Sequence, residues 1–185
     1  MGLSPHALAE TISAHATATP ATLGRGRLIC LDGPSGAGKT TTASALAALL
    51  GEATTVHTDD MIEGWRGLSG LPAAVDSLVR PLAAGTAGTW RRWDWQASCW
   101  AEHHTVEAGA WLILEGVGCS PRRIDDLITT LVWLDAPAHL RRDRWWRREG
   151  QTTMGFRDQW VLDEQLTHRR ENTLDRADLV LDGSG

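Results

Sequence analysis

The stretch Leu28-Ile29-Cys30-Leu31-Asp32-Gly33-Pro34-Ser35-Gly36-Ala37-Gly38-Lys39-Thr40 decides the fold. Its first four residues are a short apolar run that reads as a buried strand. Residues 33–40 fit the pattern G-x-x-x-x-G-K-[ST]. Residues 40–50 are rich in Ala and Leu and read as a helix closed by Gly51. Strand, glycine-rich turn and helix in that order make an anion cradle, built from backbone N–H groups and a helix N-terminus. Lys39 is the chain's one lysine, set against 17 arginines. An ammonium is a compact point charge on a flexible stem, whereas a guanidinium is a planar fork. The cradle needs the former, to reach between the β- and γ-phosphates of a nucleotide.

Working outward, residues 4–18 read as a lead-in helix with Ser4 as N-cap and Pro5 at its first position. Residues 54–57 form a second strand that ends at Asp59 and Asp60. Residues 71–84 have a helical pattern, residues 87–95 are extended, and residues 97–108 are expected to be helical. Residues 111–114 are a third strand ending in Glu115-Gly116, and residues 131–134 a fourth ending in Asp135. An arginine-loaded helix over 138–148, a polar break over 150–155 and a long helix over 156–172 follow. Residues 178–181 close the chain as a fifth strand. Short apolar strands alternating with helices imply an α/β chain with a parallel sheet covered on both faces. In such a sheet ligands bind beyond the carboxyl ends of the strands. Lys39, Asp59, Asp60 and Glu115 all follow strands directly, so distant segments deliver their chemistry to one edge.

At 185 residues and 42% apolar content, a single domain spanning 1–185 with its own core is expected. A net charge of −5 argues against a nucleic-acid or acidic-membrane partner. No apolar run is long enough to span a bilayer. Residues 1–21 lack the basic start and apolar centre of a signal peptide. Cys30, Cys99 and Cys119 are an odd set without C-x-x-C spacing, as for reduced thiols in a cytoplasmic protein. Ten Trp stand beside one Phe and no Tyr, so any wall that stacks a ring falls to tryptophan. Biased genomic composition accounts for that skew and for the missing lysines.

The chemistry follows from residue types. Residues Gly33, Pro34, Ser35, Gly36, Ala37, Gly38, Lys39, Thr40 and Thr41 would hold a nucleotide, with Lys39 on the terminal phosphates and the Thr40 hydroxyl on Mg²⁺. Phosphoryl transfer to an alcohol needs a carboxylate to orient and deprotonate the hydroxyl. Asp59 and Asp60 can divide that work, one as base and one as a water-mediated metal contact; a helix cap or solvated turn is the plainer reading. Glu115 occupies the position after an apolar strand where an acid holds Mg²⁺ or its water shell. Arg141, Arg142, Arg144, Arg147 and Arg148 crowd one helix, and residues 141–155 are expected to be a lid. Arginines on a lid can neutralise the γ-phosphate, with Arg142 and Arg147 among those expected to act. Trp90-Arg91-Arg92-Trp93-Asp94-Trp95 would suit an acceptor pocket, with Trp for a ring and Asp for hydroxyls, or equally a Trp-rich structural ridge.

These segments resemble the uridine kinase-like branch of P-loop kinases, which includes nucleoside, nicotinamide riboside and pantothenate kinases. The phosphate loop from Asp32 to Thr40 carries the likeness, with His57-Thr58-Asp59-Asp60, Trp93-Asp94, Leu114-Glu115-Gly116 and Leu134-Asp135-Ala136. It runs over residues 28–182. The resemblance implies a P-loop NTPase three-layer sandwich, a five-stranded parallel sheet of order 2-3-1-4-5, and ATP-dependent phosphorylation of a small alcohol. It places the catalytic role on Asp59, and Trp93-Asp94 where the family has a Tyr-Asp pair near the acceptor. Met61-Ile62 replaces the family's aromatic pair, and the acceptor-side insertions of uridine kinases are short.

The expected function is therefore a small-molecule kinase using ATP and Mg²⁺, a monomer or homodimer, with Asp59, Trp65, Arg91, Trp93 and Asp94 around the acceptor. The alternative acceptor is anionic, a nucleoside monophosphate or acid sugar met by Arg66, Arg80, Arg91 and Arg92. A regulatory nucleotide-binding protein is the alternative of another class; without an [NT]-K-x-D motif it would not be a GTPase.

Overall fold

The strand of the deciding stretch, β1 (Arg27–Asp32), is the middle of the sheet, and residues 28–32 are all buried. Alternate residues of a strand point to opposite faces. Leu28 and Cys30 join Leu112, Leu114 and Leu131 in one core. Ile29 and Leu31 join Ile113 and Val132 in the other. Two covered faces explain why the run is continuously apolar rather than alternating. The computed structural model describes residues 2–149 and 154–185.

In chain order the elements are α1 (Pro5–Ala18), β1, α2 (Lys39–Leu50), β2 (Ala53–His57), α3 (Leu71–Ala83), β3 (Gly88–Asp94), β4 (Cys99–Val106), β5 (Trp111–Glu115), β6 (Thr130–Asp135), α4 (Ala138–Glu149), α5 (Met154–Glu171), α6 (Thr173–Arg176) and β7 (Leu179–Asp182). The parallel sheet has the order β2-β5-β1-β6-β7. Counted among the five parallel strands alone, that is second, third, first, fourth, fifth. The strand numbering departs from the expected one because a separate antiparallel hairpin, β3–β4, lies between the second and third of them.

That hairpin corrects the expectation of a helix over 97–108. Asp94 stops β3 by accepting hydrogen bonds from Gln96 N–H (3.0 Å) and Ala97 N–H (2.8 Å), an Asx turn that reverses the chain. Ser98 then takes a left-handed φ of 50°. β4 returns antiparallel, Trp100 opposite Trp93 and Val106 opposite Gly88, with a one-residue register shift between Arg91 and Trp93. Cross-strand pairs of this kind outweigh the weak helical preference of Cys-Trp-Ala-Glu-His-His.

The lead-in helix α1 is part of the sandwich. Ser4 caps it through Ala7 N–H, and Leu8, Ala9, Ile12 and Ala16 are buried against α2 and the sheet. Of the expected lid over 141–155, residues 141–149 belong to α4 and residues 154–155 open α5. Gly155 lies within α5, and residues 150–153 of the expected polar break fall outside the described residues. Among the described residues no helix is long and apolar enough to cross a membrane.

Candidate active site

The loop after β1 turns on a node at Asp32, which has no solvent exposure. Its carboxylate accepts from Gly33 N–H (2.7 Å), Gly118 N–H (2.9 Å), Ser120 Oγ–H (2.6 Å) and His168 Nε2–H (3.0 Å). Burial opposes the charge, but His168, Ser120 and Gly118 outweigh it and hold the carboxyl below its usual range. Gly33 has φ +137°, and a Cβ there would sit 2.1 Å from the Leu134 carbonyl oxygen, so a glycine is obligatory.

Gly38 precedes α2 in a left-handed conformation and offers no side-chain cap. The first amides of α2 are thus left to a ligand, as an anion site requires. Ser35, Gly36, Gly38, Lys39, Thr40 and Thr41 line a cavity of about 470 Å³, while Gly33, Pro34 and Ala37 form the buried part of the loop. Lys39 is 7% exposed, and its ammonium donates to the carbonyls of Gly33 (2.8 Å) and Pro34 (3.1 Å).

Glu115 ends β5 between β1 and β2, in register with Leu31 and His57. It accepts from Thr40 Oγ1 (3.0 Å) and meets His57 Nδ1 at 2.5 Å. Burial disfavours its charge, yet His57, Lys39 and Thr40 together keep the carboxyl low. The same bond raises the His57 pKa. Thr58 Oγ1 donates to the Glu115 carbonyl (3.2 Å) and starts a single-turn helix over Thr58–Met61. That turn presents Asp59 to the cleft. Asp59 is open to the water of the cleft but hemmed by protein, and its pKa is pushed up to about 6. Loss of hydration is the main cause, reinforced by Glu115 and opposed by Lys39 and Arg148. Asp60 is raised by desolvation and held back by the charges of His57 and Arg92.

A second cavity, of about 570 Å³, adjoins the first and shares Ser35, Thr40, Asp59, Glu115 and Arg148 with it. Its far wall is Trp65, Trp95, Trp145 and Trp160. Trp65 is the hub, with ring centroids 5.1 Å from Trp95, 6.3 Å from Trp145 and 5.7 Å from Trp160. Helix α5 grips the loop at one residue: Ser35 N–H donates to the buried carboxylate of Glu164 (3.0 Å), and Trp160 Nε1–H donates to Ser35 Oγ (2.8 Å).

Several expected site residues lie elsewhere. Trp93 is buried under Gly64 and packs edge-on to Trp100, with centroids 5.2 Å apart. Asp94 is consumed by the hairpin turn. Arg91 donates to the carbonyls of Ala101 (3.0 Å) and Trp100 (3.2 Å). All three build the hairpin and line neither cavity; Trp95 and Gln96 at its tip do. Trp93 and Trp95, two residues apart, would share one face of a continuing strand, so the sequence pattern does not separate them. Nothing in the sequence marked Trp145 or Trp160.

The arginines redistribute too. Arg142 is exposed beside Asp143, and Arg147 is exposed and lines neither cavity. Arg144 and Arg148, one helical turn apart, share the inward face of α4. Arg144 donates to the carbonyls of Gly183 (2.8 Å), Gly36 (3.3 Å) and Gly185 (3.3 Å). Of the residues expected for an anionic acceptor, Arg80 is bound to Asp76, Asp126 and the Arg123 carbonyl. Arg92 is bound to Glu102, and Arg66 is exposed outside both cavities.

No protein-family model matches the chain, and no curated protein does. Solved structures do. A possible uridine kinase from Bacillus stearothermophilus aligns at TM-score 0.67 and 24% identity, covering 96% of this chain and 97% of that one. A provisionally named fructose transport system kinase from Silicibacter sp. TM1040 aligns at TM-score 0.61 and 19% identity, covering 97% and 99%. The fold is that of a P-loop kinase. At these identities the likeness establishes the architecture, and the chemistry rests on the residues themselves.

Proposed function

We propose that the chain is an ATP-dependent kinase that transfers the γ-phosphate of ATP·Mg²⁺ to a hydroxyl of a small acceptor. One observation carries the reading: a phosphate-loop cavity and an indole-walled cavity open onto each other at Asp59. ATP would lie along the loop with its terminal phosphates at Lys39. An acceptor in the second cavity would bring its hydroxyl to Asp59. The acceptor oxygen forms a bond to Pγ, the bond from Pγ to the β–γ bridging oxygen breaks, the hydroxyl proton passes to Asp59, and ADP leaves. A carboxylate with a pKa near 6 suits a base working near neutrality.

Thr40 Oγ1 and Glu115 Oε1, 3.0 Å apart, fit Mg²⁺, which takes one or two protein oxygens and completes its shell with phosphate and water. Bound there, Mg²⁺ would neutralise charge on the phosphates. Arg148, lining both cavities, faces the transferring group, and Arg144 braces the loop behind it.

A regulatory nucleotide-binding protein has no need of a second, indole-walled cavity beside the γ-phosphate position. The anionic-acceptor reading loses Arg80, Arg91 and Arg92 to contacts in α3 and the hairpin, and Arg66 lies outside both cavities. The test is purified protein with ATP·Mg²⁺ and a panel of small alcohols, read by mass spectrometry. Transfer abolished in both Lys39→Ala and Asp59→Asn is expected. Transfer undiminished in both would refute the assignment.

A further inference from the structure

Resting on the kinase reading, we propose that the Ser35 hydroxyl is a further catalytic group, a hydrogen-bond donor to the oxygens of the transferring phosphoryl group. Trp160 and Glu164 are the positioning residues that aim it. The juxtaposition behind this is one loop residue held by two buried side chains of α5 at the place where the two cavities meet.

The peptide unit joining Pro34 to Ser35 is fixed at both ends. Its carbonyl accepts from the Lys39 ammonium (3.1 Å), and its N–H donates to the Glu164 carboxylate (3.0 Å). Residue 35 therefore stands beside the one lysine, where the terminal phosphates of ATP would lie. Glu164 is 2% exposed, so this amide is spent on the protein rather than on a phosphate. Arg141, 3.8 Å from the same carboxylate, offsets its charge behind the loop. What residue 35 has left to offer a phosphoryl group is its side chain.

Trp160 sets the sense of that side chain's hydrogen bonds. An indole N–H can only donate, whereas a serine hydroxyl both accepts and donates. Trp160 is 4% exposed, and its Nε1 lies 2.8 Å from Ser35 Oγ. The serine oxygen accepts there, and its own hydrogen is left to point elsewhere. Among the described residues none accepts that hydrogen, and Ser35 opens onto both cavities. A donor set in advance costs no reorganisation when charge develops on the phosphoryl oxygens. The hydroxyl keeps its proton throughout; the proton released by the acceptor still passes to Asp59.

The probes are ADP·Mg²⁺ alone and ADP·Mg²⁺ with aluminium fluoride, which mimics the phosphoryl group in transfer. Each is titrated calorimetrically, and neither needs an acceptor. In Ser35→Ala the fluoride complex should weaken about tenfold or more beyond any loss for ADP·Mg²⁺ itself. Ser35→Thr, which keeps a hydroxyl, should retain most of the parent's preference for the fluoride complex. Trp160→Phe, which keeps a ring but no N–H, should lose about three- to tenfold of that preference. A merely structural contact would weaken both complexes together. Equal weakening of both in Ser35→Ala, no weakening of either, or the same loss in Ser35→Thr as in Ser35→Ala would overturn the proposal. Failure of the kinase reading looks different: ADP·Mg²⁺ does not bind the parent protein at all, and the proposal falls with it.

Discussion

Replacing Asp32 by Asn should cost far more than its conservative appearance suggests. One carboxylate oxygen accepts from Gly33 N–H, Gly118 N–H and His168 Nε2; the other from Ser120 N–H (3.3 Å) and Ser120 Oγ–H (2.6 Å). An asparagine can keep its carbonyl on the first side only by turning its NH₂ toward Ser120. The Ser120 hydroxyl can rotate and accept, but its N–H then faces another donor. A buried donor left unpaired costs ~1–3 kcal/mol, and each hydrogen bond lost from a charged acceptor ~1.5–3 kcal/mol. Together these give about 3–5 kcal/mol, or roughly 6–20 °C in melting midpoint for a chain of this size. Urea titration and thermal melts followed by circular dichroism at neutral pH measure it. The pH dependence is a second check. A carboxyl held below its usual pKa contributes stability that is fully present above ~3.9 and is lost as pH falls through the lower folded value. The gap between parent and variant should therefore be constant from about pH 5 to 8 and close only in stronger acid. His168→Gln, which keeps a neutral N–H donor for the same carboxylate oxygen, should cost less than Asp32→Asn. A loss below about 1 kcal/mol in Asp32→Asn would show that the node does not hold the loop as argued.

Three further outcomes follow from the site. Because the Asp59 pKa is raised to about 6, transfer should fall as pH drops below that value, and Asp59→Asn should lose this limb together with about a hundred- to ten-thousandfold in kcat; pH–rate profiles of both proteins decide. Arg144→Ala should raise KM for ATP about tenfold through loss of its three carbonyl contacts, whereas Arg142→Ala should stay within about twofold in initial-rate assays. At Gly116, φ is +145° and a Cβ would lie 2.2 Å from Thr58 Oγ1 and 3.1 Å from Asp59 Oδ1. Gly116→Ala should therefore displace the Asp59 turn and lower kcat about a hundredfold, with ATP affinity by calorimetry little changed.

The geometry of the loop after β1 was legible because its determinants are local. The glycines, Lys39 and Thr40 are contiguous, and Asp59 and Glu115 announce themselves by following strands. The indole-walled cavity was not, because its determinants are tertiary. Trp93 and Trp95 are equally aromatic in sequence; the Asx turn at Asp94 decides which is buried and which lines the cavity. Trp160 reaches the site from 125 residues beyond Ser35 in the chain, across a contact no local pattern encodes. Likewise, five arginines on one helix read alike until the packing of Trp145 fixes which face of α4 turns inward. The helix expected over 97–108 failed for a related reason: pairing with β3 outweighed local preference.

The β3–β4 hairpin shares no ladder hydrogen bonds with the five-stranded sheet, yet its tip supplies Trp95 and Gln96 to the acceptor cavity. On the proposed kinase reading, the phosphate loop is thus joined by no strand pairing to the short segment that would shape what is phosphorylated. Grafting residues 95–98 from a homologous hairpin would retune acceptor choice as an exchangeable cassette, leaving the phosphate loop untouched. On that reading, such a division would give a lineage freedom to acquire new acceptors by drift at one turn, at little risk to the phosphate loop.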